Sequence, residues 1–454
     1  MLKKNDIYEI IIEEVAFPNK GIAYINGETV IIKNAIKGQK VKARITKKRR
    51  DKIEASIIEI IERSPVEKKA LCPHFGICGG CSYQTLPYDE QLKIKQNQVK
   101  HLLDNAGIVD YEFLEILPSP SEYTYRNKME FSFGDVEKDG ELALGMHKKG
   151  AYYEMVTVDG CKIVDDDFVK IMMEVLEYFK KRKIPFYHNR KHEGYLRHLV
   201  VRKSMKLGQI LVNLVTSSQM ELDLTILVEK IKQLELKGEL KGFLHTINDS
   251  LANIVKSDET EILYGQDFFM EEILGLKFKV SAFSFFQTNS LGAEKLYSVV
   301  RDLAGDTRDK TIFDLYCGTG TISQIIADIS KKVIGIEIVE EAVEAAKENA
   351  KLNNLKNCEF IAGDVLTKVD ELKEKPDLII LDPPRDGIHP KAINKIISFG
   401  AKQMIYVSCK PTSLMRDLKI FEDKGYKVEK VRCVDMFPQT SHVECVTLMS
   451  RVKD

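Results

Sequence analysis

From about Val280 onward, short β-rich apolar runs alternate with stretches of helical periodicity. That alternation restricts this part of the chain to a parallel sheet with helices on both faces. The runs are Lys310–Leu315, Lys332–Glu337, Cys358–Ile361, Asp377–Asp382 and Gln403–Ser408, with a helix predicted over Ala342–Leu352. Tyr426–Val428 and His442–Leu448 close the sheet. Ligands of such sheets bind beyond the carboxyl ends of the strands. The unusual residues lie there: Asp314-Leu315-Tyr316-Cys317-Gly318-Thr319-Gly320 after the first run, Glu337 ending the second, and Gly363-Asp364 after the third. Asp382-Pro383-Pro384-Arg385 follows the fourth and Cys409-Lys410-Pro411 the fifth.

At 454 residues the chain has room for about three domains of ~150 residues. Residues 1–62 read as short strands broken by turns: Ile7–Ile12, Gly21–Ile25, Glu28–Ile32, Val41–Thr46 and Ala55–Ile60. The Asn26-Gly27 pair between two of them is a hairpin signal. Roughly five strands in so little chain suit a small barrel of the oligonucleotide-binding type; a protein-docking barrel is the alternative. Residues 63–279 are mixed α+β. They open with a cysteine cluster. An amphipathic helix is predicted over about 88–105, with Leu92, Val99, Leu102 and Leu103 on one face. Strands follow at Tyr125–Phe133, His198–Arg202 and Gln209–Leu214. Residues 280–454 form the third region, and no internal repeat is present.

Formal net charge is zero, so a nucleic-acid partner must be met by local patches. Two basic runs qualify, Lys47–Arg50 and Lys180–Lys183, though each alone reads more readily as solvated surface. Arg126 with Lys128 offers a further pair. No segment has the uninterrupted apolar length of a membrane helix, and Met1–Asp6 lacks the apolar run of a signal peptide. A cytoplasmic location is expected, in which nine cysteines are not a disulfide framework.

Gly318 and Gly320 let the backbone pass close beneath a cofactor. Glu337, about twenty residues beyond the loop, is placed to accept both hydroxyls of a ribose. The loop is not a GxGxxG, which disfavours a dinucleotide. S-adenosylmethionine, with no phosphate to cradle, is the better candidate, and Gly363-Asp364 is placed to reach its adenine. Cys409 belongs at the rim of that pocket. A lone cysteine is commonly a small buried hydrophobe. A thiolate here, however, can add to C6 of a uracil and make C5 a nucleophile toward a methyl sulfonium, dividing one hard substitution into easier steps. The C5 proton must then leave. His442 and Glu444 share one side of a strand, and by spacing either serves as the base. The spacing Cys72-x5-Cys78-x2-Cys81, with Gly76, Gly79 and Gly80 between, gathers three thiolates. With Cys161 as a fourth they suit a tetrahedral zinc or an iron–sulfur cube.

Together these motifs resemble the S-adenosylmethionine-dependent RNA uracil-C5 methyltransferases, in the iron–sulfur branch that modifies 23S ribosomal RNA. The resemblance spans the chain: an amino-terminal TRAM barrel, a central domain with the cysteine cluster, and a Rossmann-like class I methyltransferase domain. It rests on Phe286-Gln287-Thr288-Asn289, Asp382-Pro383-Pro384-Arg385, Val407-Ser408-Cys409 and Ser441-His442-Val443-Glu444. It implies Cys409 as nucleophile and Glu444, rather than His442, as proton acceptor. It implies Gln287, Tyr316, Glu337 and Asp382 at the S-adenosylmethionine positions, and Cys72, Cys78, Cys81 and Cys161 as ligands of a [4Fe–4S] cluster. It also implies that the helix at 88–105 packs on the catalytic domain, leaving the central domain discontinuous. One departure is Lys410, where the family usually has Asn.

RNA is the expected partner, with no membrane and no obligate protein partner, and a monomer is expected. The T-loop uridine of transfer RNA is the alternative substrate. A non-catalytic RNA-binding protein is opposed by the intact set of Cys409, Glu444 and Glu337. A cytosine-C5 enzyme is opposed by a Pro383-Pro384 turn without its cysteine. Methylation of an adenine amino group is opposed by Arg385 in place of a stacking aromatic.

Overall fold

The computed structural model describes residues 2–49, 52–368, 371–372 and 374–452. Arg50, the last residue of the first basic run, falls outside them. Inward and outward residues alternate along the first strands, so one face of a curled sheet closes over Ile12, Ala23, Val30, Ile32, Val41, Ala43 and Ile45. Its strand order is Ile7–Ile11, Lys40–Arg49, Lys52–Glu62, Glu28–Lys33, Lys20–Ile25 and Glu14–Ala16. This is one strand more than the sequence pattern gives, because the three residues of Glu14–Ala16 are too few to show a period. Asn26 and Gly27 both take positive φ, 52° and 79°, as the tight hairpin turn requires. Lys48 of the basic run pairs with Glu28 at 2.9 Å.

The central unit is a seven-stranded sheet ordered Ala151–Val156, Leu142–Lys148, Lys128–Asp135, Leu196–Lys203, Gln209–Thr216, Glu239–Ile247 and Glu259–Gly265. The helix Asp166–Arg182 packs on it through Phe168, Ile171, Met172, Val175 and Phe179. Asp165 caps that helix by accepting from the Asp167 N–H, and Lys183 closes it in a left-handed conformation. The second basic run is thus the last turn of a helix, where cations meet the negative end of the macrodipole. Lys180 pairs with Glu141 at 3.2 Å, and the Arg182 guanidinium lies 3.7 Å from the Tyr178 ring centroid.

The carboxy-terminal sheet has eight strands, ordered Cys358–Ala362, Ser330–Glu337, Thr307–Leu315, Leu378–Leu381, Gln403–Ser408, Glu444–Arg451, Tyr426–Val434 and Glu112–Leu117. The first five run parallel, and Glu444–Arg451 turns back antiparallel. The last strand comes from far upstream and pairs parallel with Tyr426–Val434. The helix Tyr88–Asn105 joins the same unit, with Val99 and Leu103 in one core with Leu414, Leu418 and Phe421.

The face marked by Leu92, Val99, Leu102 and Leu103 does pack on that core, but the fully buried stripe also takes in polar residues. It consists of Gln91, Lys95, Gln98, Val99 and Leu103. Its polar members are buried because each has a distant partner. Gln98 donates to the Val15 carbonyl of the first unit at 3.0 Å. Gln91 donates to the Gln439 side chain at 2.9 Å. Lys95 Nζ meets Asp435 at 2.7 Å with both side chains fully buried. Breaking a buried pair from one side strands the other charge and costs about 3–5 kcal/mol. Asp435→Asn should therefore lose stability on that scale in urea unfolding of the carboxy-terminal unit. Adding Lys95→Met should recover most of the loss, because it removes the orphaned ammonium; no recovery in the double variant would show that the pair is not what holds the helix.

Candidate active site

The turn after the strand Thr307–Leu315 is built from left-handed residues: Tyr316, Gly318 and Gly320 have φ of 68°, 54° and 70°. Gly320 lies so close to Phe360 that a Cβ would come within 2.6 Å of its ring. The turn and the next strand end lock together. Glu337 accepts the Gly318 N–H and the Val339 N–H, each at 3.0 Å, so its carboxylate is fixed before any ligand arrives. Tyr316, Glu337, Gln287 and Asp382 line one cavity of about 1370 Å³, and Cys409, Glu444, His442 and Arg385 line it too. Gly363 and Asp364 stand outside its wall. Gly363 donates to the Glu337 carbonyl at 2.8 Å, and Asp364 accepts from the Leu366 N–H at 2.9 Å, so the pair shapes the backbone behind the pocket.

One corner concentrates acidity. Burial pushes Asp382 up to about 7, helped by Asp314. Burial pushes Glu444 up to about 8; Asp382 adds to the effect and Arg385 opposes it. Burial also raises Cys409 to about 11, with Glu444 and Asp382 contributing and the nearby Arg385 cation opposing. A carboxyl group poised near neutrality is suited to take a proton at physiological pH. Glu444 opens its strand, whereas His442 lies in the loop before it. Loss of solvent at the wall, then the cations Arg385, Lys95 and Arg126, hold His442 below the ordinary imidazole range.

Glu444 follows a turn whose carbonyls are answered from four distant segments. Asn289 donates to Met436 O at 2.9 Å, Lys95 to Phe437 O at 3.1 Å, and Tyr125 to Pro438 O at 2.9 Å. The Ser82 and Tyr83 N–H groups donate to Gln439 O at 2.8 and 2.9 Å. Gln439 itself takes φ 68°, and its N–H donates to Gln91 at 2.9 Å. Asn289 also caps the helix Ser290–Ala304, accepting from Gly292 N–H at 2.9 Å. Sequence reasoning does not find Arg385 as a neighbour of the thiol, nor the whole set of turn holders. The available signal is polar Gln91 and Lys95 on the stripe that a helical period places opposite solvent.

Cys72, Cys78, Cys81 and Cys161 line the same cavity. Burial raises Cys78 and Cys161 and pushes Cys81 to about 12, with the charges of Cys161, Cys78 and Cys72 adding. Among the described residues, no group of three or more His, Cys, Asp or Glu side chains is gathered to hold a metal ion. Arg126 also lines the cavity, whereas Lys128 is largely buried and pairs with Glu130 at 2.6 Å. Lys128 is therefore not the free cation that its place in the sequence suggests.

The family model described as tRNA (uracil-5-)-methyltransferase matches residues 87–452, and a TRAM domain matches residues 2–58. An "uncharacterized RNA methyltransferase" of Clostridium tetani is 54% identical over 450 residues, covering 99% of both chains. One of Caldanaerobacter subterraneus is 52% identical, covering 99% of this chain and all of the relative. The solved Pyrococcus abyssi tRNA (uracil-54, C5)-methyltransferase, in complex with S-adenosyl-L-homocysteine, superposes with a TM-score of 0.76. It covers 97% of this chain and 100% of that one at 24% identity, a likeness of fold.

Lys410 occupies the capping position of the helix Pro411–Asp423, and its side chain makes no capping hydrogen bond. Its ammonium stands 3.7 Å from the exposed Asp386 instead. Asn accepts from the first free N–H groups of a helix, and such a cap is worth about 1 kcal/mol. Lys410→Asn should therefore raise the thermal midpoint by a few degrees in calorimetry; an unchanged or lowered midpoint would show that the helix start is satisfied without a cap.

Proposed function

The chain belongs to the tRNA (uracil-5-)-methyltransferase family and carries a TRAM domain; from that premise we propose that it methylates C5 of a specific uridine in 23S ribosomal RNA, with S-adenosylmethionine as methyl donor. The observation that carries the chemistry is the shared corner of Cys409, Arg385, Glu444 and Asp382 on a cavity also lined by Glu337, Tyr316 and Gln287. The donor set fits S-adenosylmethionine: a carboxylate pre-fixed by two N–H groups faces a ribose, and buried acids suit a cationic ligand. When bound, that ligand supplies an electrophilic methyl group on a sulfonium.

The protein's own residues do the rest. Glu337 holds the ribose hydroxyls, and Tyr316, Gln287 and Asp382 flank the ligand. Arg385 stabilises the Cys409 thiolate. Its sulfur bonds to C6 of the uracil, and the C5–C6 double-bond pair moves onto C5 and O4. C5 takes the methyl group as the methyl–sulfur bond breaks, its electron pair leaving on the sulfur as a neutral thioether. Glu444 then removes the C5 proton, the double bond re-forms, and Cys409 leaves as thiolate. Covalent catalysis thus replaces a difficult attack by a neutral ring.

The four cysteines support the 23S ribosomal substrate through their resemblance to the iron–sulfur branch, and a [4Fe–4S] cluster is the group we assign to them. What supports that assignment is the cysteine spacing and the shared cavity wall. The cluster's role would be structural, ordering the loop from Cys72 to Cys81. The transfer-RNA reading is favoured by the family description. Mass mapping of methylated uridines in ribosomal and transfer RNA, with and without the protein, decides between them. Protein purified without oxygen should contain iron and sulfide; one equivalent of zinc without sulfide would remove the cluster from the proposal.

RNA carrying 5-fluorouridine should trap a covalent complex with the wild type and none with Cys409→Ala. Glu444→Gln should accumulate adduct on ordinary RNA. Because Glu444 must be ionised to accept the proton, tritium release from the pre-formed methylated adduct of 5-tritiated uridine should rise with pH through about 8 and then level off. Arg385 favours the carboxylate, so Arg385→Gln should move that rise to higher pH. A pH-independent release, or normal turnover by Glu444→Gln, would assign the base elsewhere.

A further inference from the structure

Two buried arginines on the strand Leu196–Lys203 hold two loops from beneath. Arg202 donates from Nη1 to the carbonyls of Ser281 and Ser284 at 2.6 and 2.8 Å. Arg197, only 3% exposed, donates to Asn248 O at 2.7 Å and Ala252 O at 2.9 Å. Its guanidinium also lies 4.3 Å from the Tyr187 ring centroid. Both loops reach the catalytic cavity: Phe283 and Ser284 come from one, and Val255, Lys256 and Ser257 from the other.

The loop over residues 248–258 has more order than a connection between two strands needs. Asn248 Nδ2 donates across it to Ile254 O at 2.7 Å, and Asp249 N–H donates to Asp258 at 2.8 Å. Yet this stiffened loop turns Leu251 and Ile254 outward, 68% and 52% exposed. Folding gains nothing from bare aliphatic side chains held rigidly in water. Exposed apolar groups beside a site commonly mark a surface that is covered in the working complex.

The proposed reaction indicates what covers them. A uridine whose C5 and C6 must enter a cavity has to leave its stack. Proteins that open a nucleic-acid stack fill the gap with aliphatic wedges. We propose that the loop of residues 248–258 is an RNA-opening element: Leu251 and Ile254 enter the stack beside the extruded uridine, and Lys256 at the cavity wall meets the neighbouring phosphate. Arg197 is the positioning residue that keeps the wedge in place. This rests on the reading of the chain as a uridine methyltransferase.

The test compares two RNAs bearing the same target uridine, one in a stable stem–loop and one in a short unstructured oligonucleotide. The double variant Leu251→Ser/Ile254→Ser alters only exposed side chains. Since unstacking costs a few kcal/mol, kcat/KM on the stem–loop should fall by about tenfold or more, with a change within about twofold on the oligonucleotide. A 2-aminopurine placed next to the target should brighten on binding wild type and stay dim with the variant. Arg197→Lys should reproduce the selective loss. An equal loss on both RNAs, or none on either, overturns the wedge. If wild type forms no 5-fluorouridine adduct even on the oligonucleotide, the underlying reading has failed instead.

Discussion

A lysine and an aspartate sealed from water, 340 positions apart, tie the structure together. Lys95 belongs to a helix early in the chain; Asp435 begins the turn that leads to Glu444. Neither charge tolerates burial alone, so the helix can dock in one register only. Once docked, the same helix reaches the first unit through Gln98 and the turn before Glu444 through Gln91. The cysteine loop follows, because Ser82 and Tyr83 hold the carbonyl of Gln439. One buried pair thereby bears on where both the first unit and the cysteine loop sit against the carboxy-terminal unit.

The acids of that cavity pull in the opposite direction. Asp314, Asp382 and Glu444 are all raised, to about 7, 7 and 8. A carboxyl group whose folded-state pKa lies above its unfolded value stabilises the fold below the unfolded value, and that stability is lost as pH rises through the folded one. Near neutrality the ligand-free corner is therefore under electrostatic strain, and a cationic sulfonium ligand would relieve it. Arg385 is the cation that opposes both the Cys409 and Glu444 shifts. The site is preorganised for a positive visitor, with stability given up in its absence.

Local pattern carries much of this architecture. The parallel strands, the glycine turn and the positions of Glu337, Asp382 and Cys409 at strand ends all follow from periodicity and turn chemistry within short windows. The edge strand Glu112–Leu117 does not, because its partner Tyr426–Val434 lies far along the chain. Nor do the partners of the helix Tyr88–Asn105: its period puts Gln91 and Lys95 on the buried side, but the residues that answer them lie 348 and 340 positions away. In sequence, Arg385 reads only as the absence of an aromatic ring; its place on the same cavity wall as the thiol depends on two strand ends meeting. His442 and Glu444 read as strand neighbours, but the strand starts at Glu444, because the turn before it is held by other segments rather than by sheet hydrogen bonds.

The order in which these pieces are synthesised adds a last consequence. A ribosome adds roughly 5–20 residues each second, so the 340 positions between Lys95 and Asp435 correspond to roughly 17–68 s. Throughout that interval the helix has left the ribosome without the carboxylate that permits its burial. Its polar Gln91, Lys95 and Gln98 keep it soluble while it waits. The edge strand Glu112–Leu117 waits with it for Tyr426–Val434. The catalytic unit is thus begun before the central sheet exists and finished after it, and the nascent chain must hold its opening pieces in reserve until its final ones emerge.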